Sequence, residues 1–102
     1  MLVKDRIKKE SLEKPFTKAV ADIKREIISI GCELHTDSAE ELVKDGSNYD
    51  DLWGFNIYPD GSLDFVSLIN IRPADNNRSM DIQNEEIRQK IEDIVRRLTP
   101  NT

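Results

Sequence analysis

Apolar residues recur along this chain with two different periods. The clearest period of two runs over residues 52–72, where Trp53, Phe55, Ile57, Leu63, Phe65, Ile69 and Ile71 share one face of an extended ribbon. Between its halves, Tyr58-Pro59-Asp60-Gly61-Ser62 has the composition of a type I turn followed by a left-handed residue. Pro59 presets φ, and Gly61 takes a positive φ without a Cβ clash. A hairpin over about 52–72 follows, with Tyr58 opposite Ser62, Ile57 opposite Leu63, Phe55 opposite Phe65 and Trp53 opposite Ser67. Extended further, that register sets Asp50 against Asn70 and Asn48 against Arg72. The second face mixes Gly54, Asn56, Tyr58, Asp64, Asn70 and Arg72 with Leu52, Val66 and Leu68. That apolar share needs cover from a helix, a strand or a second copy of the chain.

The helical period is clearest at the other end. Ile87, Ile91, Ile94, Val95 and Leu98 line one face of a helix over 85–98, capped by Asn84 and ended by Pro100. Glu85 and Glu86 in its first turn and Arg96 and Arg97 in its last complement the macrodipole. Its apolar stripe suits the Trp53, Phe55 and Phe65 face. A shorter helix is predicted over 38–45, with Asp37 as N-cap, Glu40 completing a capping box, Ala39, Leu42 and Val43 facing inward, and Gly46 after its end. Leu2, Val3 and Ile7 suit an edge strand, and residues 8–14 a short helix before Pro15. The segment 16–34 fits two descriptions. Phe16, Ala19, Val20, Ile23, Ile27 and Ile30 keep helical spacing, whereas Ile27-Ile28-Ser29-Ile30-Gly31-Cys32 reads as a strand, with a hairpin turn at Lys24-Arg25-Glu26.

At 102 residues this is one domain, 1–102. No apolar run approaches the roughly 20 residues of a membrane helix. The charged start lacks the apolar core of a signal peptide, and the single Cys32 points to a reducing compartment, so the cytoplasm is expected. The net charge of −5 is unevenly spread: residues 26–64 hold ten Asp and Glu against one Lys. Such a potential repels nucleic-acid phosphate and attracts cations.

Three stretches, GCELHTDSAEEL at 31–42, DGSNYDDLWGFNIYPD at 45–60 and SLINIRPADNNRS at 67–79, resemble a family of small prokaryotic proteins known as a domain of unknown function. The resemblance runs over about residues 18–98 and rests on the patterns GxELHxDxxE, DGSxxxDLWGxNxYP and INIRPxxxNRS. It implies a glycine where this chain has Glu26, which favours a hairpin over a helix for 18–34, and a second glycine where this chain has Cys32. It implies no activity. The expected fold is therefore α+β: a mainly antiparallel sheet from two hairpins, about 18–34 and 52–72, covered by helices 38–45 and 85–98.

Two sets of residues could carry chemistry. On an extended strand Glu33, His35 and Asp37 would share a face, able to hold a divalent metal or to orient His35 as the general base of a metal-dependent, hydrolase-like enzyme. Alternatively, Asp37 caps the helix and His35 makes a boundary hydrogen bond. The second set is Asn70, Arg72, Asn77 and Arg78, with Asn76 beside them, facing Asn48 and Asp50 at the open end of the hairpin. Guanidinium forks among amides suit a phosphate, a carboxylate or another small polar ligand; equally, Arg72 could pair with Asp50 or Asp51 while the asparagines close turns. Packing of the short helix beside that open end would merge the two sets into one pocket. Cys32, in an apolar run beside acidic groups, reads as a small core residue rather than a nucleophile.

Overall fold

Five strands form one antiparallel sheet in the order β1-β3-β2-β4-β5. The computed structural model describes residues 1–12 and 14–99. Its strands are β1 (Leu2–Val3), β2 (Thr17–Asp22), β3 (Ile27–Ile30), β4 (Leu52–Ile57) and β5 (Leu63–Asp64), with helices α1 (His35–Lys44) and α2 (Glu85–Leu98). Alternation in the strands divides the core between two faces. Ala19, Ala21, Ile28, Ile30, Trp53, Phe55 and Phe65 pack with Ile91, Ile94, Val95 and Leu98 of α2. Val20, Ile27 and Leu52 point the other way, onto Ala39 and Leu42 of α1 and onto Ile69. The expected α+β architecture forms, and α2 covers the expected face.

The 18–34 segment is a hairpin, and Asp22 shows why it needs no glycine. Its Oδ1 accepts the backbone N–H groups of Lys24 and Arg25, each at 2.9 Å, and its carbonyl accepts Glu26 N–H at 2.8 Å. The turn closes with Glu26 at φ +59°, the left-handed region that glycine occupies without strain. Its ion pair with Arg97 spans 4.0 Å between side chains more than half exposed and contributes little. Glu26→Gly should therefore raise stability by about 0.5–1 kcal/mol, the relieved strain outweighing the added freedom of the unfolded chain. A leftward shift of the urea midpoint would contradict this.

The central hairpin begins as its turn dictates. Tyr58 N–H meets Ser62 O at 2.9 Å, and Ile57 faces Leu63 and Asn56 faces Asp64. There the predicted ladder stops: Phe55–Phe65, Trp53–Ser67, Asp50–Asn70 and Asn48–Arg72 are not paired. Asp64 Oδ1 accepts Val66 N–H at 3.3 Å, Ser67 Oγ accepts Ile69 N–H at 3.3 Å, and Leu68–Asn70 curls into a 3-10 turn. Val66 bridges to Asp81 instead. The turn carries Ile69 to the α1 face and leaves Ile71 exposed, so neither joins Trp53.

Smaller differences have similarly local causes. α1 starts at His35 behind Leu34, with no side-chain cap, so Asp37 lies in its first turn and contributes through the dipole rather than as N-cap. Its end is as expected: Gly46 at φ +108° lets Ser47 N–H reach Leu42 O at 3.0 Å. Of the stretch 8–14 expected as a short helix, Lys9–Leu12 form one 3-10 turn and residue 13 lies outside the described residues; Ile7 is buried outside β1. Pro100, the expected stop of α2, lies outside the described residues. Among the described residues no helix is long and apolar enough to cross a membrane.

Candidate functional site

The α1 face of the sheet is only half covered. Ten residues of helix span about 15 Å, and they lie over the Val20 and Leu52 end of the strands. At the other end Phe16, Lys18 and Asn56 emerge from under the start of α1, where Leu34, His35 and Thr36 form one wall. The segment Val66–Ile69 and Met80 form the opposite wall. The result is a groove of about 360 Å³. Phe16, Leu34, Val66, Leu68 and Met80 are all exposed, Leu68 by 71%.

His35 and Lys18 are the titratable groups that line the groove. The Nε2 of His35 lies 2.9 Å from Phe55 O. A carbonyl only accepts, so Nε2 carries the proton and the ring is pinned to β4. Burial lowers the imidazole pKa, and the charge of Lys18 adds to this; the Phe55 carbonyl, the Asn56 amide and Asp64 pull the other way. Ser67 borders the same groove, yet no hydrogen bond joins its Oγ to His35. The extended strand that would align Glu33, His35 and Asp37 does not form. His35 and Asp37 sit two residues apart on a helix, where side chains diverge, and Glu33 precedes it. Among the described residues no three His, Cys, Asp or Glu side chains gather as a metal requires.

At the open end of the hairpin the polar groups are engaged with backbone. Asn70 is fully buried, and its amide acts as the missing strand residue: Oδ1 accepts Gly54 N–H at 2.8 Å and Nδ2 donates to Gly54 O at 2.9 Å. Nδ2 also reaches Phe65 O and Met80 O, each at 3.1 Å. Asn77 Nδ2 serves the carbonyls of Asn70, Ser79 and Asp81 in the same way. The Arg72 guanidinium lies between the rings of Tyr49 (5.0 Å) and Trp53 (4.5 Å). It donates to the carbonyls of Ile69, Asp50 and Leu52, which ties the 3-10 turn to the start of β4. Asn48 Oδ1 accepts Asp50 N–H, and Asn76 closes a turn at φ +60°. Arg78 is exposed.

The two sets do not merge, because the His35 groove is not lined by Arg72, Asn77 or Arg78. Cys32 is half-buried at a shallow hollow with Lys14 and Lys18 rather than in the core. Sequence reasoning singled out Val66 and Leu68 as needing cover and missed Phe16, Lys18, Leu34, Asn56 and Met80 as their neighbours. One available signal was Asn56, a polar residue amid the apolar run of β4. Other hollows lie between the β4–β5 turn and the end of α2 (about 490 Å³), beside Val43 and Tyr49 (about 430 Å³), and beside Ile23 and Asp93 (about 380 Å³). Their walls include Glu92 and Arg96 in the first, Glu40 and Lys44 in the second and Lys24 and Lys90 in the third, and none includes Asp22, Ser38 or Asn56, whose side chains each bury a polar atom without a partner.

Comparison with protein families gives a match over residues 2–98 to the family described as protein of unknown function (DUF5674), and the chain belongs to it. Neither the curated proteins nor the solved structures contain a match.

Proposed function

We propose that this member of the DUF5674 family is a small binding module whose site is the groove beside His35. One observation carries the reading: of nine large apolar side chains exposed among the described residues, five surround this one groove. Scattered exposed apolar residues are ordinary, but clustering around a concavity marks a ligand or partner site. The open end of the hairpin is set aside as the main site because Asn70, Arg72 and Asn77 spend their donors on backbone carbonyls. A reducing compartment, the cytoplasm, fits the lone Cys32.

Leu68→Lys tests the groove at little structural cost, since Leu68 is 71% exposed and such surface changes alter stability by about 0.5 kcal/mol or less. The fluorescent apolar dye Nile red should bind the unaltered protein and bind Leu68→Lys about tenfold more weakly, with unchanged melting. Undiminished dye binding would remove the reading's support. A second copy of the chain is the alternative occupant, and sedimentation would then show a dimer that Leu68→Lys dissociates.

A further inference from the structure

The groove does not end at the start of α1. Thr36 lines both the groove and the hollow beside Val43 and Tyr49, so the two concavities adjoin and run along the helix. Val43 and Tyr49 join the five exposed apolar side chains of the groove, which leaves only Met1 and Ile71 of the nine outside this track. The charge beside it has mainly one sign. α1 and the Tyr49–Asp51 turn carry Asp37, Glu40, Glu41, Asp50 and Asp51 against a single Lys44. Of those five acids only Glu41 is ion-paired among the described residues. The opposite wall, Val66–Ile69 and Met80, is uncharged. Lys18 already donates to Glu33 O at 2.7 Å, and Arg72, stacked on Tyr49, spends its donors on backbone carbonyls.

We propose that a cationic amphipathic helix of a partner protein docks along α1, its apolar face on the track and its Lys and Arg side chains beside Asp37, Glu40 and Asp50. This rests on the groove being the binding site and names its occupant. The groove, walled on two sides, takes the main anchor, and the hollow takes the next apolar side chain of the same helix. The ten residues of α1 span about 15 Å, which two to three turns of a partner helix match. An extended peptide fits less well, because the strand residues at the track, Lys18 and Asn56, belong to strands already paired on both sides. It would leave its own backbone groups without partners, whereas a helix satisfies them internally. Nucleic acid and anionic lipid meet like charge on the acidic rim. A second copy would bring the same acids to the interface, with Lys18 and Lys44 too few to offset them.

Two synthetic helical peptides test this on the full, unaltered chain, followed by amide chemical shifts. They share a leucine face and differ in carrying lysine or glutamate on the polar face. The lysine peptide should shift Leu34 and Leu68 together with Val43 and Tyr49. It should bind at least about tenfold more tightly than the glutamate peptide and weaken as salt is raised. Glu40→Lys should weaken it about threefold, while Glu92→Lys, the same charge change on α2 across the sheet, should leave it unchanged. Equal binding of the two peptides, or equal loss from the two variants, overturns the proposal. Lysine-peptide shifts confined to the groove also overturn it and leave the groove as a site. Shifts elsewhere, or none, overturn it as well, and Nile red with Leu68→Lys then decides the groove separately. Self-association of the unaltered chain through the same residues would assign the track to a second copy instead. The peptide ranking comes from the unaltered chain, so it stands whatever the variants do to folding.

Discussion

Asn70→Asp should destabilise the protein by about 4 kcal/mol at neutral pH, more than Asn70→Ala at about 3 kcal/mol. The alanine variant strips the partner from Gly54 N–H and from the carbonyls of Gly54, Phe65 and Met80. Each buried backbone group left unpaired costs about 1–3 kcal/mol, and collapse of the site recovers part of the sum. Aspartate keeps the shape and still accepts from Gly54 N–H, but it turns an anionic oxygen on three carbonyls that Nδ2 now serves. Its protonation at low pH restores one donor, so the gap between the two variants should close on acidification. Urea unfolding at two pH values reads both effects. An aspartate variant as stable as the unaltered protein would mean that the amide does not complete the sheet.

Gly54→Ala should cost about 3 kcal/mol for a complementary reason. A Cβ at Gly54 would stand 2.6 Å from Ser67 Cβ, 2.7 Å from Ser67 Oγ and 3.1 Å from Ile69 Cγ1. Ser67 Cβ is fixed to its backbone, so the whole 3-10 turn must retreat, and the Asn70 amide leaves Gly54 with it. Ser67→Gly removes the nearest atoms at the cost of its bond to Ile69 N–H. In the double variant the two losses should fall short of additivity by about 1 kcal/mol or more. Strict additivity would place the strain elsewhere.

These two residues also explain how far the fold could be read from the chain. Elements carried by local chemistry were legible: the Pro59-Asp60-Gly61 turn, α2 with its Asn84 cap accepting from Glu86 and Ile87, and Gly46 after α1. The 16–34 segment was legible only with the resemblance, because Asp22 side-chain bonds replaced the expected glycine. The ladder after Asp64 was not legible. SLINIRP continues an alternating pattern, and nothing local shows that one side-chain amide pairs with a strand 16 residues away. Gly54 was the available sign, since a glycine among bulky strand residues marks close backbone approach.

The candidate site was legible in part for the same reason. His35 and Arg72 were singled out by residue type, and Arg72 turned out to be a structural clamp between Tyr49 and Trp53. The groove depends on where α1 stops covering the sheet, a tertiary quantity. Its members come from Phe16, Leu34, Asn56, Val66 and Met80, residues that share no local pattern.

The central claim is that the half-covered end of the α1 face is a binding site, and mapping by amide chemical shifts with a mixed set of small apolar fragments tests it most directly. The shifts should concentrate on Lys18, Leu34, His35, Asn56, Val66, Leu68 and Met80. Concentration on the hollow beside Val43 and Tyr49, or a diffuse response with no cluster at all, would contradict it.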